Sequence, residues 1–133
     1  MGFLAVLLFL LLAGAIYRSL AEAADARANP PPGRMVDVGG FRLHIFCRGS
    51  GSPTVVIESG WGESSASWGW VHLEVARTTR VYTYDRAGKG WSEASPYPRT
   101  TRQFAKELHT LLAKANETGP YVLAAHSLGG YTA

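Results

Sequence analysis

Four absences narrow this 133-residue sequence before any motif is considered. It has one cysteine, Cys47, so no internal disulfide can form; its place in an alternating apolar stretch reads as a core thiol. Thirteen Lys and Arg against ten acids give a net charge of +3, but the basic residues are scattered, with no block or stripe to track a nucleic-acid backbone. No cluster of metal-ligand residues and no phosphate-binding loop stands out, so no cofactor is implied. Repeats and low-complexity tracts are also missing. With 47% apolar and 17% charged residues, the composition is that of one globular domain with a membrane-type contribution.

That contribution lies at the start. Residues 2–17 carry no charge and are apolar all round, covering about 24 Å at 1.5 Å per residue, slightly short of a hydrocarbon core. Arg18 can snorkel, and the alanine-rich residues 19–26 can lengthen the helix. A single-pass anchor over 1–26 is the first reading. A signal peptide is the other, because Ala21-Glu22-Ala23 and Ala24-Asp25-Ala26 both offer an Ala-x-Ala pattern, although no Lys or Arg precedes the apolar run. Arg18 and Arg27 are offset by Glu22 and Asp25, so the flanking charges favour a cytoplasmic domain only weakly. Residues 27–34, with Pro30-Pro31-Pro32, form a stiff extended linker, and the folded domain is residues 35–133.

Within that domain, residues 35–38 and 41–48 flank Gly39-Gly40 and predict a hairpin through a primed turn, with Phe41, Leu43, Ile45 and Cys47 on one face. Residues 54–58 and 80–84 are short apolar runs suited to strands buried on both faces. Helices are predicted over 68–77 and 99–115, and a last strand over 121–125. Strand, helix, strand, helix, strand implies a parallel sheet with right-handed crossovers. Ser59-Gly60-Trp61-Gly62, Asp85-Arg86-Ala87-Gly88 and Ser127 then fall at the carboxyl ends of the strands, where ligand sites of such sheets form.

The last strand runs into Ala125-His126-Ser127-Leu128-Gly129-Gly130. A serine at a tight strand-to-helix turn needs small neighbours two residues away on either side, and Ala125 and Gly129 supply them. The turn lifts the hydroxyl off the sheet and exposes free N–H groups at the start of the next helix, among them that of Leu128. This is the pattern of a nucleophile elbow.

In this order and spacing, Val36-Asp37-Val38-Gly39-Gly40, Pro53-Thr54-Val55-Val56-Ile57-Glu58-Ser59-Gly60, Tyr84-Asp85-Arg86-Ala87-Gly88-Lys89-Gly90-Trp91-Ser92 and the elbow resemble the α/β-hydrolase superfamily, in its lipase, esterase and peptidase branch. The resemblance covers the chain from about Pro30 onward. It implies the N-terminal half of an α/β-hydrolase fold, preceded by a transmembrane helix. It places the nucleophile on Ser127 and the oxyanion donors on the Leu128 and Trp61 N–H groups, though many relatives carry His-Gly where this chain has Ser59-Gly60. Asp85 and Arg86 fall in a loop given a structural role.

The family's triad acid and histidine lie later than this sequence reaches. His44, His72, His109 and His126 do not occupy the base position and read as surface or packing residues; Glu58, Glu63, Glu74 and Glu107 read as loop or solvated-face acids. The expected chemistry is hydrolysis of a small-molecule ester or amide through an acyl-enzyme, with the membrane as the other partner and no nucleic acid. The 133-residue chain alone is expected to be inactive, as an N-terminal fragment. The alternative is an inactive membrane-tethered interaction module on the hydrolase scaffold.

Overall fold

The computed structural model describes residues 2–132, and the chain divides into two compact units, Met1–Pro31 and Pro32–Ala133. The first is helix α1, Gly2–Ala28, on which no residue is buried. It is long and apolar enough to cross a membrane, as an anchor or as a signal sequence does. It runs past residue 26 into the stretch read as linker, and Arg34 already belongs to the next unit's first strand.

The second unit is a five-stranded mixed sheet. Strands β1 (Arg34–Asp37) and β2 (Arg42–Arg48) form the antiparallel hairpin, Asp37 facing Arg42. Gly39 and Gly40 take φ of +116° and +94° in its turn, and Asp37 Oδ1 accepts both their N–H groups at 2.7 and 3.0 Å. Strands β3 (Thr54–Glu58), β4 (Val81–Tyr84) and β5 (Tyr121–Ala125) follow, giving the order β1-β2-β4-β3-β5. β3 pairs in parallel with β4 on one side and β5 on the other, while β2 meets β4 antiparallel.

Two helices connect the parallel strands. A 3₁₀ turn, Ser65–Trp68, leads into α2 (Gly69–Val75), which lies against β4. Helix α3 (Thr101–Lys114) is capped by Thr100, whose hydroxyl accepts Gln103 N–H at 3.2 Å, and lies against β1. Phe104, Leu108, Leu111 and Leu112 recur at helical spacing along its buried stripe and are buried with Leu43, Ile45, Val56, Tyr82 and Tyr84 of the sheet. β1 and β5 are the edge strands, and all five residues of β5 are exposed.

Three residues depart from their sequence reading. Cys47 is exposed: β1 pairs with β2 only as far as Ile45, so the cysteine lies beyond the covered part of the face it shares with Leu43. Glu58 is fully buried at the end of β3, and Glu107 is buried on α3 next to Leu108. Each is matched by a guanidinium, Arg86 Nη1 at 2.9 Å from Glu58 and Arg99 Nη1 at 2.8 Å from Glu107, which is what makes a buried carboxylate tolerable. Glu74 is exposed, as a solvated-face acid should be.

Candidate active site

β5 ends at Ala125, and the chain turns through His126 into a short 3₁₀ helix, Ser127–Tyr131. At the turn Ser127 has φ of +52°, a left-handed conformation unfavourable for a residue with a Cβ. The turn is fastened to the neighbouring strand by His126 N–H donating to the Glu58 carbonyl at 3.1 Å. Gly129 packs onto the same place, where a Cβ would lie 2.6 Å from the Glu58 carbonyl oxygen and 2.9 Å from that of Ser59. The smallness read at this position thus has a specific cause, the approach of two backbones. Ser127 itself is exposed, Leu128 is half-buried, and Gly129 N–H donates to the His126 carbonyl at 2.9 Å.

The loop after β3 holds Ser59, Gly60 and Trp61. Ser59 Oγ accepts the Trp68 indole N–H at 3.0 Å, and Gly60 N–H donates to Glu63 Oε2 at 2.6 Å. Glu63 Oε2 also lies 3.3 Å from His126 Nδ1, so this loop and the elbow meet through one side-chain contact. The bond from Gly60 N–H, more than His126, holds the Glu63 carboxyl below its ordinary pKa. Trp61 is 78% exposed, and with Leu128, Arg86, Lys89 and Phe104 it lines a cavity of about 400 Å³. The two residues expected to donate to an oxyanion therefore border one space, and the exposed Ser127 directly precedes one of them in the chain.

Beneath this cavity lies a buried polar cluster. Glu58 accepts hydrogen bonds from the Tyr84 hydroxyl and from Arg86, whose Nη2 also donates to the Gly60 carbonyl. Burial pushes the Glu58 carboxyl above its usual pKa, and the Tyr84, Arg86 and Thr132 contacts pull it back without cancelling that effect. A single glutamate closing the otherwise apolar run Thr54-Val55-Val56-Ile57 was the available sign that β3 ends in a structured polar centre.

The loop after β4 is organised by Asp85. Its carboxylate meets His44 Nδ1 at 2.9 Å and accepts Ser65 N–H at 2.6 Å and Trp91 N–H at 3.1 Å. Burial raises the Asp85 pKa, but these bonds together outweigh it and hold the group below the ordinary carboxylate range. The histidines are committed elsewhere than to Ser127: His44 to Asp85, His72 Nδ1 to Thr83 Oγ1 at 3.0 Å, and His126 to Glu63, while His109 is exposed on α3.

A mixed sheet of this order, with a serine in left-handed conformation at the end of its fifth strand, invites comparison with known proteins. The family model described as "Alpha/beta hydrolase family" matches residues 45–133. The chain belongs to the α/β-hydrolase family. Relatives of this α/β-hydrolase chain include the protein YqjL of Bacillus subtilis (strain 168), 40% identical over 93 residues that make up 69% of this chain and 37% of YqjL. Among solved structures it is similar to the enol-lactonase from Burkholderia xenovorans LB400, at 25% identity and a TM-score of 0.68, covering 74% of this chain and 39% of that one. It is also similar to the epoxide hydrolase VrEH1 from Vigna radiata, at 27% identity and a TM-score of 0.66, covering 74% and 32%. The hydrolase chain thus spans less than two-fifths of each of these relatives.

Proposed function

We propose that this chain carries the nucleophile-bearing part of a membrane-anchored serine hydrolase that cleaves a small-molecule ester or amide through an acyl-enzyme. The observation that carries the reading is the exposed Ser127 at φ of +52° on the end of a parallel strand, directly before Leu128, which with Trp61 lines the cavity. A strained serine that packing does not require is the signature of a presented nucleophile.

In this reading the Ser127 hydroxyl attacks the carbonyl carbon as its proton passes to a histidine. Negative charge develops on the carbonyl oxygen, where the Leu128 and Trp61 N–H groups receive it. Collapse expels the alcohol or amine, which takes the proton back from the histidine, and water then releases the acyl group by the same path. The four histidines of this chain are held in other contacts or exposed on α3, so the base and its acid partner are assigned to residues outside it. The 133 residues alone are accordingly inactive, since a serine without its base loses nearly all activation.

Of the reactions named for the structural relatives, lactone opening fits the serine better than epoxide opening. A lactone is an ester, and its acyl-serine has a carbonyl that water can attack. Serine attack on an epoxide carbon would leave an ether with no such carbonyl, and turnover would stop. Helix α1 acts as the membrane anchor in this proposal, its apolar run being unbroken from Gly2 to Tyr17.

The test uses the product of the whole reading frame that encodes this sequence, treated with a fluorophosphonate probe and with p-nitrophenyl esters. Labelling and hydrolysis that both vanish in Ser127→Ala are the expected result. A folded, membrane-bound product that is never labelled at Ser127 would support the inactive tethered module instead.

A further inference from the structure

Gly60, whose carbonyl shares a peptide with the Trp61 N–H, is held on both of its flanking peptides by side chains that the proposed acyl transfer does not otherwise use. Glu63 Oε2 accepts Gly60 N–H at 2.6 Å, and Arg86 Nη2 donates to the Gly60 carbonyl. Arg86 is itself immobilised: it is 8% exposed, its Nη1 is 2.9 Å from Glu58 Oε1, and its guanidinium lies 5.3 Å from the centre of the Phe104 ring. A Cβ at residue 60 would lie 2.9 Å from both Glu63 Oε2 and His126 Nδ1, so a side chain there would displace these two groups.

In a planar trans peptide the carbonyl and the following N–H point in opposite directions. Fixing the Gly60 oxygen against Arg86 therefore fixes the direction of the Trp61 N–H. A cationic donor on that oxygen also polarises the amide and makes its N–H a stronger donor. We infer that Arg86 and Glu63 are positioning residues that aim the Trp61 N–H at the developing oxyanion. The inference rests on the acyl-transfer reading given above. Glu63 adds a second coupling, because its bond to His126 ties the loop bearing Trp61 to the residue just before Ser127.

A packing role alone would alter stability; a positioning role alters how well the site tells an oxygen anion from a sulfur one. The experiment compares matched p-nitrophenyl ester and thionoester substrates on the product of the whole reading frame, as wild type, Arg86→Lys, Glu63→Ala and Glu63→Gln. Sulfur is a longer, weaker acceptor, so a well-aimed donor pair gives a large oxygen-over-sulfur rate ratio. Removing an oxyanion donor costs about 10²–10³ in kcat, and misaiming one is expected to cost about tenfold to thirtyfold, with KM changed less than about threefold. Arg86→Lys and Glu63→Ala should show that loss together with a fall of about tenfold in the ratio, and Glu63→Gln, which keeps an acceptor oxygen, should recover most of both.

Variants that match wild type in kcat and ratio, or that lose kcat at an unchanged ratio, overturn the inference while leaving the serine-hydrolase reading intact. A wild-type protein not labelled at Ser127 overturns that reading first, and the inference with it. Glu63 is only partly covered, at 31% side-chain exposure, so its variants keep the comparison decisive even where Arg86→Lys fails to fold.

Discussion

Gly129 sits where the elbow comes down on the end of β3, and its missing side chain is what lets the two meet. A methyl group there would overlap the Glu58 carbonyl at 2.6 Å and the Glu58 Cγ at 2.8 Å, atoms held in the sheet and in the buried cluster. Gly129→Ala is expected to lower unfolding free energy by about 1–3 kcal/mol, the usual cost of overpacking a tight contact. Gly130, one residue on, has nothing within 4 Å of a built Cβ, and Gly130→Ala should stay within about 0.5 kcal/mol of wild type. Urea midpoints of the two variants test the contrast; equal midpoints would show that the elbow relaxes away from β3 instead of being pinned to it. At this scale the sequence was only partly legible. The demand for a small residue at 129 follows from the motif, but the buried Glu58 does not, because its partners Tyr84 and Arg86 lie 26 and 28 residues away. Cys47 failed for a similar reason, since alternation tells which face a residue is on and not how far the neighbouring strand extends.

Elements were easier to read than residues. β5 spans Tyr121–Ala125 as its apolar run indicated, and α3 stops at Lys114 after a Thr100 cap, within two residues of the predicted bounds. Both are marked by local chemistry, a run of strand formers in one case and a heptad-like apolar stripe with a capping hydroxyl in the other. The segment before α2 was harder. Its first turn is a 3₁₀ helix, and Ser65 N–H there is fixed by Asp85, a contact that no local pattern encodes. The same arrangement of elements leaves β5 bare: α2 lies against β4 and α3 against β1, at the opposite edge of the sheet. Val122 and Leu123 are 47% and 42% exposed, beside a row of backbone groups that can pair with another chain. Solubilised in detergent, the 133-residue chain is therefore expected to self-associate through β5, and Leu123→Lys should shift it toward monomer in sedimentation velocity. A wild-type chain that sediments as a monomer and unfolds cooperatively would count against edge pairing.

For the whole molecule, the question is what the first unit does for the second. Helix α1 has 27 residues, about 40 Å at 1.5 Å per residue, which exceeds a hydrocarbon core of about 30 Å. Its charged residues, Arg18, Glu22, Asp25 and Arg27, all fall in its second half, with Arg18 and Glu22 paired at 2.7 Å. The apolar first half is thus suited to lipid and the charged second half to the headgroup region and water, where Arg18 can snorkel. No side chain along this helix is buried by protein, so in water its leucines would carry an unfavourable exposure of large apolar area. As an anchor, the helix should keep the protein in the membrane pellet through alkaline carbonate extraction and release it only to detergent. Deleting residues 1–31, the whole of the first unit, should move the remainder to the soluble fraction. A mature N-terminus at Ala24 or Arg27, found by N-terminal sequencing together with a soluble product, would establish signal cleavage in place of anchoring. The proposed site would then work in solution.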